Sequence, residues 1–184
     1  MTIKMLFFHL ILICTLNPSA EILNSKQICV KYENYYEDGS YLSTDCFSND
    51  KCKYTFHENP KKLTQIVDFE KKLIKISPEE EEDVTYTFDE NFNAPDSFDA
   101  IEIPVFEIKK TDKTKEICGV SCKNLEATYK DDVYKIWYFI PKKIKADRIN
   151  KYTGYKQIPG IILEIICNDE LQKKAISIDD KCKF

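Results

Sequence analysis

From Gln27 onward the apolar residues recur chiefly at every second position, not every third or fourth. Period two places alternate side chains on opposite faces of an extended backbone, so it selects strands and excludes a helical bundle. Ile28, Val30 and Tyr32 alternate with Cys29, Lys31 and Glu33; Cys52, Tyr54 and Phe56 alternate with Lys53, Thr55 and His57. Gln65 to Ser77 reads as strand, tight turn around Glu70 and Lys71, and strand. Val84, Tyr86 and Phe88 form a further half-buried segment, Ile101, Ile103 and Val105 another with Pro104 as an edge or bulge signal, and Leu125, Ala127 and Tyr129 another. Val133 to Ile140 is apolar on nearly both faces, which predicts a central strand ended by Pro141.

Turn chemistry separates these runs. Asp38-Gly39-Ser40, Asn59-Pro60 and Lys130-Asp131-Asp132 are turn signals, and Asp89 to Asp99 is the expected long loop. Lys142 to Tyr155 reads as a polar, basic connection with a short helical turn ending near Gly154. Pro159-Gly160 then opens a strand in which Ile161, Leu163, Ile165 and Cys167 point one way, with Glu164 on the other face between Ile162 and Ile166. After Asn168 the chain has either a helical turn or a last strand through Ala175 to Ile178.

Residues 1–20 combine one positive charge at Lys4, an apolar run from Met5 to Leu16 and a small polar end at Asn17 to Ala20, the anatomy of a secretory signal peptide. That run is too short for a membrane anchor, which needs about 20 residues. Cys14 sits inside the apolar run behind the bulky Ile13, a poor context for lipid attachment. Residues 21–184 then form one β-rich domain, exported to the periplasm or secreted, with no transmembrane segment.

The whole chain carries a net charge of −4 with acids and bases interspersed, so no basic stripe is available to nucleic acid. Export makes Cys29, Cys46, Cys52, Cys118, Cys122, Cys167 and Cys182 disulfide candidates, with one of this odd set left over. Ser-Asn-Asp between Cys46 and Cys52 reads as a hairpin loop with the two cysteines facing across its base, which makes Cys46–Cys52 the first expected bridge. Extended, Cys118 and Cys122 would lie about 13 Å apart; either Gly119 turns the chain and closes a local bridge, or each finds another partner. Zinc is disfavoured because there is no paired C-x-x-C and His57 is the single histidine after the leader. The C-x-x-x-C spacing of Cys118 and Cys122 also lacks thioredoxin chemistry. The acidic run Glu79, Glu80, Glu81, Glu82 and Asp83 reads as a solvated loop, with a calcium site as the sharper alternative.

Three segments, in order, resemble the GLPGLI family of exported bacterial proteins. Ile117, Gly119, Cys122 and Lys123 resemble its Ile-x-Gly-x-x-Cys-Lys box, Trp137-Tyr138 its Trp-Tyr pair, and Ile158-Pro159-Gly160-Ile161-Ile162-Leu163-Glu164 its namesake motif. Gln157 stands where the motif begins with Gly, Ile158 and Ile161 replace leucines, and the Gly-Pro expected between the Trp-Tyr pair and the motif is missing. The family resembles the periplasmic lipoprotein-carrier superfamily. The resemblance implies a strongly curved antiparallel sheet, a half-open β-barrel with little helix, whose inner side holds an acyl chain or other hydrophobic ligand.

No Gly-x-Ser-x-Gly elbow, His-Glu-x-x-His or phosphate loop occurs, so the expected chain is not an enzyme and needs no cofactor. Two functions are carried forward. One is a binding or carrier protein for a lipid-like ligand, for which a chain rich in Tyr and Phe, with Trp137, has the rings to line a cavity. The other is a structural or protein-interaction module of the cell envelope without a small ligand.

Overall fold

The alternation seen in the sequence becomes eleven strands of one antiparallel sheet. The computed structural model describes residues 18–58, 61–90 and 104–184. A short helix α1 (Pro18–Leu23) precedes β1 (Gln27–Tyr36), β2 (Gly39–Ser48), β3 (Lys51–Glu58), β4 (Lys61–Asp68), β5 (Leu73–Pro78) and β6 (Val84–Thr87). Then follow β7 (Glu107–Ile117), β8 (Val120–Tyr129), β9 (Asp132–Phe139), β10 (Ile161–Cys167) and β11 (Glu170–Asp179). The order across the sheet is β6-β5-β4-β3-β2-β1-β11-β10-β9-β8-β7. Two runs of consecutive hairpins thus meet where the first strand pairs with the last. The sheet ends in edges at β6 and β7 rather than closing, consistent with a curved half-open barrel. No helix among the described residues is long and apolar enough to cross a membrane.

One cluster of buried side chains covers the inner face, including Ile28, Val30, Tyr32, Phe47, Cys52 and Tyr54 from β1 to β3. A second, around Phe106, Leu125, Ile136, Tyr138, Ile162 and Ile165, packs β8 to β10. The connection after Pro141 is not a polar surface segment. Ile144, Ile149 and Tyr152 are buried, and the segment lies across the inner face: the Asn150 N–H donates to Tyr54 Oη at 3.1 Å, and Gln65 Nε2 donates to the Tyr152 carbonyl at 3.1 Å. Its helical turn is 3₁₀, at Ala146–Arg148.

Several expectations are corrected. Cys46 and Cys52 do flank a hairpin turn, but the register pairs Phe47 with Cys52 and Cys46 with Lys53. A one-residue offset puts the two cysteines on opposite faces, and Cys46 is instead bridged to Cys29, directly opposite on β1. Gly119, at φ 75°, does turn the chain with Cys118 (φ 51°) between β7 and β8. No local bridge closes, however: Cys52, Cys118, Cys122, Cys167 and Cys182 are all free thiols. β6 is an edge strand whose Val84 is exposed. Val105 is exposed and lies before β7, not within a strand; Ile101 and Ile103 lie outside the described residues, as does most of the Asp89–Asp99 loop. In β10 a register shift between Ile162 and Glu164 breaks the alternation, so Ile162 and Ile165 share one cluster while Ile161 and Leu163 join the other.

Candidate functional site

The inner face holds a cavity of about 280 Å³ where β1 to β3 face the loop before β10. Period two aims Tyr32 of β1, Asp45 and Phe47 of β2, and Tyr54 and Phe56 of β3 into the same space. Asn150, Thr153 and Tyr155 close it from the crossing segment, while Ile162 and Ile165 of β10 and Lys173 of β11 complete the wall. Phe47 and Tyr54 meet edge to face at 5.6 Å, and Tyr54 stacks on Phe56 at 6.2 Å. Rings therefore make a continuous apolar wall on the β2–β3 side.

At one side of the cavity lies a single charged pair. Lys173 Nζ stands 2.8 Å from Asp45 Oδ2 and 3.8 Å from the centre of the Tyr32 ring. Asp45 is nearly inaccessible, and its other oxygen accepts the Thr55 N–H at 3.1 Å. A buried carboxylate of this kind is tolerated because it is both paired and hydrogen-bonded. Lys173 reaches it across β1, since Lys173 is in register with Asn34 on the far side of that strand.

The tyrosines here are held as neutral phenols. Burial pushes the Tyr32 hydroxyl well above its usual range, reinforced by the Asp45 charge, and burial followed by the nearby Cys52 does the same to Tyr54. Tyr155 is pushed up to about 12, again by burial first. Tyr32 donates to the Ile162 carbonyl at 2.7 Å. Asn34 donates from Nδ2 to Ser43 Oγ at 2.9 Å and to the Tyr41 carbonyl at 3.1 Å. The site consequently offers aromatic surface, fixed hydrogen-bonding groups and one neutralised ion pair. Among the described residues, the side chains lining the cavity include no cysteine, serine or histidine.

The residues of the sequence motifs lie elsewhere. Gly119 shapes the β7–β8 turn, and Cys122 is buried in the core. Trp137 carries the Lys115 ammonium 4.4 Å from its ring centre, and Lys115 also pairs with the buried Glu164. Tyr138 and Gly160 adjoin on β9 and the entry to β10, while Pro159 precedes them at the turn. Together, Trp137, Tyr138, Pro159 and Gly160 build the β9–β10 seam rather than the cavity wall. The acidic run is an exposed loop in which Glu79 accepts the Lys62 N–H at 3.1 Å, Glu81 pairs with Lys61 at 3.4 Å and Asp83 pairs with Lys75. These partners are lysines and backbone, the reading of a solvated loop. The side chain of His57 lies outside the described residues.

Asp45, Lys173, Asn34, Asn150 and Thr153 were not singled out by the sequence. Asp45 lies in a segment the sequence left unassigned, and only the strand β2 shows that it points inward. Nothing local pointed to Lys173, because its partner lies more than a hundred residues away in the chain.

No protein-family model matches the chain, and no curated protein matches it. Solved structures do. Two crystal forms of PNGF-II align over 86% and 87% of this chain with TM-scores of 0.57 and 0.55, at 15% and 14% identity. MucA/MucB from Pseudomonas aeruginosa aligns over 89% of this chain with a TM-score of 0.35 and 10% identity, covering 55% of that chain. This chain spans only 28% and 29% of the PNGF-II chains. At such identities the likeness to PNGF-II is one of fold: the curved antiparallel sheet described above is an architecture that solved proteins share.

Proposed function

We propose that this chain is an exported, non-enzymatic binding module whose inner-face cavity takes a lipid-like amphiphile, a ligand with an apolar body and a polar end. The observation that carries the reading is the cavity's composition: a ring wall of Phe47, Tyr54 and Phe56 continued by Ile162 and Ile165, with the polar groups of Asp45 and Lys173 gathered in one pair. Apolar surface leaving water drives such a body in, at about 25 cal/mol per Å², while a few fixed polar groups orient its head. Phenols that stay protonated at neutral pH and a neutralised ion pair suit binding better than acid–base chemistry. The resemblance of the β7–β10 motifs to an exported family and the signal-like leader support export.

The test is native mass spectrometry of the protein purified from its host, paired with uptake of a fluorescent fatty acid. A co-purifying lipid mass, or saturable uptake that Tyr54→Ala weakens, is the expected result. A clean apo mass together with no uptake overturns the reading.

A second reading, a protein-interaction module of the envelope, is favoured by one observation. Among the described residues the eleven-residue strand β7 pairs with β8 alone and no strand lies on its other edge, a template to which an extended peptide can add. Its test is protection of β7 amides from hydrogen exchange when envelope extract is added.

A further inference from the structure

Three sulfurs meet on the outer face of the first hairpin. The Sγ atoms of Cys29, Cys46 and Cys182 all lie within 4.8 Å of one another. Two of them form the Cys29–Cys46 disulfide, and Cys182 is a thiol. The bridge joins residues directly opposite on neighbouring strands, inside an unbroken ladder from Gln27↔Ser48 to Tyr36↔Gly39. That ladder holds Cys29 and Cys46 in place whether or not their sulfurs are joined. Cys182, by contrast, stands on the tail beyond β11, two residues from the last residue of the sequence. Its neighbour Lys183 lines an open outer-face groove of about 450 Å³ together with Cys46 and not Cys29, which points to Cys46 as the sulfur attacked.

We propose that these sulfurs form an intramolecular thiol–disulfide exchange centre, in which Cys182 moves the bridge from within the first hairpin to the carboxy-terminal tail. Cys182 gives its proton to water, and the thiolate attacks Cys46 Sγ. The Cys46–Cys182 bond forms as the Cys29–Cys46 bond breaks, its electron pair leaves on Cys29, and Cys29 takes up a proton. One disulfide and one thiol stand on each side, so no outside oxidant or reductant is required. The relocated bridge pins the tail beside the groove and spans a far longer loop than the 17-residue separation of the original. Longer loops constrain the unfolded chain more, so this isomer unfolds at higher temperature.

The attacking thiol is masked at neutral pH. Burial, with Asp179, Asp180 and Cys52 raising it further and the Phe47 backbone opposing, pushes Cys182 up to about 12; Lys31, Lys53, Lys62 and Lys183 line the neighbouring groove. Exchange therefore quickens as pH rises, by about tenfold per unit below that value, because only the thiolate attacks.

The experiment incubates the oxidised full chain at about pH 7 and about pH 9, quenches with acid, alkylates the free thiols and maps the disulfide-linked peptides without reduction. The expected result is a Cys46–Cys182 peptide that grows faster at the higher pH, with alkylated Cys29 appearing in equal amount, and none of it in Cys182→Ser. Persistence of Cys29–Cys46 alone with Cys182 fully alkylated overturns the proposal, as does a Cys182 bridge to Cys29 instead. Cys29→Ser, checked for native circular dichroism and treated with oxidised glutathione, provides the second arm. A Cys46–Cys182 bridge is expected there, and its absence from folded protein overturns the proposal equally.

Discussion

Gly160 is the residue at which the smallest change should do the most damage. A Cβ added there would overlap the carbonyl oxygen of Phe139 and lie 2.9 Å from its carbonyl carbon and 3.1 Å from Tyr138 Cδ2. The obstacle is backbone, and the next ladder pair, Ile161↔Phe139, joins two buried residues. An alanine can therefore be accommodated only by parting β9 from β10. Overpacking of this kind costs about 1–3 kcal/mol, and a loosened ladder bond adds roughly 1 kcal/mol, so Gly160→Ala should cost roughly 3 kcal/mol. For a domain of this size each kcal/mol moves Tm by about 2–4 °C, giving a fall of roughly 10 °C. Thermal unfolding followed by circular dichroism measures it, and urea unfolding should show a lower midpoint at unchanged slope. Gly154→Ala is the internal control, because its Cβ would meet Pro104 Cδ at 3.4 Å, an ordinary contact. A fall of under about 2 °C for Gly160→Ala, or equal effects of the two substitutions, would refute the reasoning.

Three further outcomes are expected. Lys173→Met should leave Asp45 buried beside the cavity without its cation and destabilise the fold by about 3 kcal/mol, whereas the double change with Asp45→Asn should recover part of that loss; urea midpoints of the three variants check it. Burial alone would raise the Asp68 carboxyl, but the Lys71 N–H at 2.9 Å and the Lys51 ammonium at 3.3 Å outweigh it and hold the group below its usual 3.8. A depressed folded pKa stabilises above the unfolded value and is lost as pH falls through the folded one, so Asp68→Asn should flatten stability below about pH 4 while lowering it at neutrality. Among the thiols, the exposed Cys118 should react with iodoacetamide in the native state long before Cys52, which burial pushes up to about 12; mass spectrometry of timed samples reads the order, and early labelling of Cys52 would contradict the core packing.

Much of the fold was legible because strand alternation is a local property. Ile28 to Glu33 and Cys52 to Phe56 declare both their conformation and their inward face within a few residues, and the hairpin turns lie between such runs. Pro159-Gly160 was likewise readable as a strand entry, since Gly permits the close approach that the backbone of Phe139 makes. What failed was register. Cys46 faces Cys29 rather than Cys52 because a one-residue offset in the β2–β3 hairpin reverses a side chain's face, and the bulge in β10 did the same to Ile165.

The sequence by itself determined a strand-built chain whose Tyr32, Tyr54 and Phe56 share the apolar face of their strands. The tertiary structure alone decided which strands lie at the middle of the sheet. The β1–β11 seam joins the two hairpin runs, and it brings Lys173 across β1 to Asp45, Cys182 to the Cys29–Cys46 bridge, and the loop before β10 over the rings. Each of these is a meeting of residues remote in the chain. Alternation records which way a side chain points, but not what it will find there.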